Sequence, residues 1–120
     1  MRKLPLTPLA AAALAVVTLL GVLARPAAAQ PASMLFTMFC ARCHGATGHG
    51  DGDDAASLST KPQDFHDCAA MAKKPDDQLF NAVKGGGTSV GLPSDMPAWG
   101  TGLNDQQIHD LVAYVRGFCK

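Results

Sequence analysis

The chain has 120 residues, 48% of them apolar, and its ten basic and ten acidic side chains cancel. That length holds no more than one domain of ordinary size. The balance is uneven: Arg2, Lys3 and Arg25 precede residue 30, leaving seven basic against ten acidic residues beyond it, a net charge of −3 and the wrong sign for nucleic acid.

The first predicted element is a leader. Arg2 and Lys3 are followed by an apolar run over 9–24, interrupted by Thr18 and Gly21, and then by Ala27, Ala28 and Ala29. This order reads as a secretory signal peptide over 1–29, cleaved after Ala29 and exported through the Sec pathway to the periplasm, with a mature domain over 30–120. The run is shorter than the roughly 18–20 apolar residues that a spanning helix requires, so no membrane span is expected after cleavage. A domain of this size buries a modest share of its surface and commonly needs a staple or cofactor. In an oxidising compartment, the four cysteines should be paired or otherwise committed.

Three main helices follow. The first spans 33–43 with Ser33 as N-cap, and Leu35, Phe36, Met38 and Phe39 supply its apolar spacing. The second spans 76–84; Pro75 precedes it, Asp76 and Asp77 suit the positive end of its dipole, and three glycines end it. The third begins near Asn104 or Asp105 and runs to about 118, with Asn104 as its cap and Ile108, Leu111, Val112 and Val115 as one apolar stripe. The segments 45–68 and 85–102 are long and rich in Gly, Asp, Ser, Thr and Pro. Loops that long in so small a domain make sense when they wrap a rigid apolar group.

Cys40-Ala41-Arg42-Cys43-His44 is a c-type haem attachment sequence. Its two thiols add to the vinyl groups of one haem c, and the adjacent imidazole supplies an axial ligand. A dithiol redox pair usually opens a helix beside a strand, whereas this motif closes one. A zinc site would need a second cysteine–histidine cluster. For the sixth ligand, Met96 stands in Pro93-Ser94-Asp95-Met96-Pro97, a loop stiffened on both sides. Met34 and Met38 read as packing residues, Met71 as filling beside a turn, and His66 as the serious rival to Met96.

With Cys-x-x-Cys-His early and Met-Pro later, the chain resembles the class I cytochromes c from 33 to 118. The resemblance implies an all-α fold of three main helices with long loops around one covalent haem. It implies that Phe36, with Ala32 one turn earlier, packs where the terminal helices cross, opposite Leu111 and Tyr114. It also implies a proline carbonyl, assigned to Pro62, that accepts from the other ring nitrogen of His44, and an aromatic, Trp99, at the haem edge within reach of a propionate. Cys68 and Cys119 depart from the family pattern. A disulfide is the economical reading, and closing that loop stabilises by about 4 kcal/mol on the chain-entropy model.

Six-coordinate iron held by His44 and Met96 leaves no open position. The expected function is a monomeric carrier of single electrons between membrane or periplasmic redox proteins, and not an enzyme. The alternatives are a haem enzyme or gas sensor with a labile sixth ligand, built from Arg42 and His66, and a dedicated electron-acceptor subunit of one dehydrogenase.

Overall fold

The computed structural model describes residues 29–120, so the expected leader, apart from Ala29, lies outside the described residues. Helix α1 (Ala32–Phe39) begins earlier than expected, because Pro31 and not Ser33 holds the cap position. The Pro31 carbonyl accepts from the N–H groups of Met34 and Leu35, at 2.9 and 3.2 Å. Proline forfeits no helical bond there, and its fixed φ presets the path into the first turn. The single helix expected to reach Cys43 is two. At Cys40 φ widens to −116°, and α2 (Ala41–His44) restarts from it. The returning loop, through the N–H groups of Asp54 and Gly52, satisfies the Arg42 and Cys43 carbonyls at 3.0 and 3.1 Å.

Helix α3 (Cys68–Ala72) has no counterpart among the expected elements; its cap is Asp67, whose carboxylate accepts from the Ala70 N–H at 2.9 Å. Helix α4 (Asp76–Gly85) carries Asp76 and Asp77 in its first turn, as the dipole favours. Helix α5 (Asp105–Arg116) opens on a reciprocal cap: Asn104 accepts from the Gln107 N–H, and Gln107 accepts from the Asn104 N–H. Short 3₁₀ turns occupy Ala55–Ser57, Gly87–Val90 and Gly117–Cys119, and the described residues contain no strand. The fold is all-α.

The core lies where α1 crosses α5. Phe36, 1% exposed, sets its ring 5.3 Å from Tyr114 and 6.0 Å from Phe118, with Leu35, Ile108 and Leu111 around it. An aromatic fills such a crossing because ring area buried there is removed from water on all sides. Helix α4 joins through Phe80, which stacks on His109 at 4.5 Å.

Arg116 ties α3 and α4 to α5. Its guanidinium donates to the Met71 carbonyl at 2.7 Å, to the Lys74 carbonyl and to the Asp76 carboxylate at 2.9 Å. Both carbonyls are half-buried acceptors that lose this donor together, so Arg116→Met should destabilise the holoprotein by about 2 kcal/mol. Chemical denaturation at neutral pH measures it, and an unchanged midpoint would show that water replaces the guanidinium at no cost. A disulfide joins Cys68, the first residue of α3, to Cys119 in the last turn, with Cα atoms 5.5 Å apart.

Candidate functional site

Between the α1–α5 crossing, α4 and the two long loops lies one open apolar cavity, about 1220 Å³ with its mouth included. Cys40, Cys43, His44, Pro62, Met96 and Trp99 all line it, together with Phe36, Phe39, Leu79, Val83 and Val112. The junction of α1 with α2 places both cysteines on one wall, and neither is joined in a disulfide. Burial, helped by the neighbouring charge of Cys43, pushes the Cys40 thiol up to about 11. A dithiol redox centre needs the opposite shift, because the thiolate is its nucleophile.

His44 is held from two sides. Its ring stacks on Phe65, with centroids 4.8 Å apart and planes 19° apart, and its Nδ1 lies 3.4 Å from the Gln63 carbonyl. Burial lowers its basicity, and the Gln63 carbonyl opposes that. A proton kept on Nδ1 by that carbonyl leaves Nε2 as the nitrogen able to ligate. The partner is therefore not the Pro62 carbonyl expected from the family pattern. That oxygen packs against Gly50, which has no Cβ to block it, and the next peptide along faces the imidazole. Pro62 contributes to the wall alone.

Met96 sits in a loop pinned to the end of α4. Its carbonyl accepts from the Gly87 N–H at 2.9 Å, and the Val83 and Lys84 carbonyls accept from the N–H groups of Trp99 and Gly100 at 2.9 and 3.0 Å. Gly86, at φ 76°, lies where a Cβ would meet the Met96 carbonyl at 2.9 Å. Next in sequence, Asp95 accepts from the Ser59 hydroxyl and from the Ser59 N–H at 2.9 Å, which joins the two cavity loops. The hydroxyl contact holds the Asp95 carboxyl below the usual range. Trp99 tilts against Phe39 with ring centroids 5.0 Å apart.

The rivals stand elsewhere. Met71 is 2% exposed within the core, while Met34 and Met38 are on the surface. His66 bonds the Thr47 carbonyl at 2.8 Å and stacks on His49, away from the cavity. Arg42 pairs with Asp54 at 2.6 Å on the exterior. His44 is thus the one histidine that lines the cavity among the described residues, and no arginine does. Nor is any group of three or more His, Cys, Asp or Glu side chains fit to hold a metal ion found among those residues.

Gln63 and Phe65 were not among the expected site residues. A backbone carbonyl leaves no mark in a sequence; for Phe65 the one available signal is an aromatic in an otherwise polar loop. Two thiols on one wall, one imidazole, one thioether and an apolar slot rimmed by Lys61, Lys74 and Gln78 suit a flat apolar macrocycle with an ionised edge, so the residues fit haem c.

A family model described as cytochrome C oxidase, cbb3-type, subunit III matches residues 27–115. Among solved structures, the chain is similar to one titled KustC0563 c-type cytochrome. The two share 26% identity over 76% of this chain and 100% of that one, with a TM-score of 0.63. No curated protein matches the chain.

Proposed function

The chain belongs to the cytochrome c family, in the branch described as cbb3-type oxidase subunit III, and we propose on that premise that it carries single electrons through a His44/Met96-ligated iron. Members of the family bind haem c covalently, and Cys40 and Cys43 are the thiols that would hold it here. When bound, the haem supplies reversible one-electron chemistry at iron. The observation that supports this reading best is that Cys40, Cys43, His44 and Met96 open into one apolar cavity.

The chain's own residues have three tasks. Gln63 and Phe65 orient the imidazole, which fixes its tautomer and strengthens its donation. The bonds from Gly87, Trp99 and Gly100 fix the loop that presents the thioether. The apolar lining keeps water out, which together with thioether ligation favours ferrous iron and raises the potential. With His44 and Met96 both donating to the iron, no position would be left for a substrate, which supports a carrier over an enzyme.

The leader over 1–29 and the domain over 30–120 describe an exported monomer working in the periplasm, where the Cys68–Cys119 bond persists. Among the described residues, no helix is long and apolar enough to cross a membrane. Its partners are membrane or periplasmic redox proteins met in small, transient contacts. A dedicated subunit role in one oxidase or dehydrogenase is the second reading, favoured by the matching family's description; stable copurification with one complex would select it. A haem enzyme or gas sensor is disfavoured by the places of Arg42 and His66 outside the cavity.

The ferric spectrum of the holoprotein tests the carrier reading. A sulfur-to-iron charge-transfer band and slow cyanide binding are expected. A high-spin spectrum with immediate cyanide binding would exclude the carrier.

A further inference from the structure

Cys68 and Cys119 have no part in holding haem, yet each stands next to a ring that leads to His44. Cys68 follows Phe65 by three residues, and Cys119 follows Phe118 directly. The Phe65 and Phe118 rings are nearly parallel, their planes 9° apart and their centroids 6.2 Å apart. Phe65 continues the series onto the His44 imidazole. The same segment supplies the Gln63 carbonyl beside Nδ1, and the Phe65 carbonyl approaches the Cys119 sulfur at 3.1 Å.

We propose that the Cys68–Cys119 disulfide is a positioning device for the His44 imidazole: it ties the segment 63–68 to the end of α5 and so holds the Phe65 ring and the Gln63 carbonyl against His44. The proposal rests on His44 as an axial ligand. The segment is also held by the Phe65 ring in the core, by the Phe65 N–H bond to the Gly48 carbonyl at 2.8 Å and by the His66 bond to the Thr47 carbonyl at 2.8 Å, and the disulfide is its one covalent tie to the end of α5. The contact between Gln63 and His44, at 3.4 Å, is near the outer limit of a hydrogen bond, where a small displacement loses it. An imidazole that loses its carbonyl partner is a weaker donor with a less defined orientation. Ferric iron gains most from a strong donor, so loosening the tie raises the midpoint potential.

A disulfide that served stability alone would raise the unfolding temperature and leave the folded protein's haem signature untouched by its removal. The two roles separate in the holoprotein studied well below its unfolding transition. Two variants are needed: the double substitution Cys68→Ala/Cys119→Ala, and Phe65→Leu with the disulfide intact. The readouts are the proton NMR positions of the ferric haem methyl groups and the midpoint potential. Both variants should redistribute the methyl resonances and raise the potential. Parent-like resonances and potential in the double variant would overturn the positioning role, and Cys68→Ser/Cys119→Ser decides where the alanine pair does not fold. The parent spectrum separates ligation from positioning: hyperfine-shifted imidazole protons must be present there. Their absence overturns His44 ligation and the positioning role with it, whereas their presence beside unchanged variants overturns the positioning role alone.

Discussion

Met96→Ala should abolish the sulfur-to-iron charge-transfer band, make ferric iron bind cyanide rapidly, and lower the midpoint potential by a few tenths of a volt, within the about 0.8 V over which axial ligands set haem potentials. The direction follows from softness: a thioether favours ferrous iron, and the water that replaces it favours ferric. Among the described residues no other methionine is placed to substitute, since Met71 is sealed in the core and Met34 and Met38 face solvent. Met96→His keeps six ligands but exchanges the thioether for a harder donor, so it should remain low-spin at a lower potential. A charge-transfer band that survives Met96→Ala would assign the ligand elsewhere. Global stability should change little in either variant outside the haem contact, because the loop's backbone bonds to Val83, Lys84 and Gly87 do not involve the side chain.

Phe36→Ala is expected to be the most destabilising single change in the core. The ring is 1% exposed and touches Phe65, Tyr114 and Phe118, elements from separate parts of the chain that cannot close on the void together. Buried aromatic-to-alanine changes cost about 3–5 kcal/mol. That is a large share of the roughly 5–15 kcal/mol by which a domain is stable. At about 4–8 °C per kcal/mol for a domain of this size, the unfolding temperature of the holoprotein should fall by roughly 12–40 °C. Phe36→Leu, which retains most of the volume, should lose about a third as much. A small loss in Phe36→Ala would mean that the α1–α5 crossing collapses easily and is not the organising contact of the fold.

What the sequence disclosed divides along physical lines. Elements with their own local signals were legible: α4 from Pro75 and its aspartates, α5 from Asn104 and its stripe, the attachment motif from fixed spacing, and Phe36 from the family pattern. The misses are places where tertiary contacts outweigh local preference. Helix α3, five residues long, is too short to show a period, and its existence rests on the Asp67 cap. Ser33 has good capping chemistry, yet Pro31 takes the position because its rigid backbone already points into the turn. The end of α2 depends on the Arg42 and Cys43 carbonyls being claimed by the loop that returns through Gly52 and Asp54. Pro62 yields to Gln63 because which peptide faces His44 is decided by the packing of Gly50, and side-chain identity carries no trace of it. At the candidate site, residue types pointed to the cluster of Cys40, Cys43, His44 and Met96, and the backbone that orients them did not show.

The crossing of α1 with α5 also has a bearing on the order of events in folding. Phe36 stands near one end of the described chain and its partners Tyr114 and Phe118 near the other, so the contact closes a loop of nearly the whole domain. Closing such a contact loses chain entropy before the packing is gained, which slows folding. For a polypeptide delivered N-terminus first, α5 arrives last. Until then, the cavity wall that bears Cys40 and Cys43 lacks the side that Leu111, Val112 and Val115 supply, which leaves its thiols more open to whatever installs the haem. Completion of the C-terminal helix then shuts that interval.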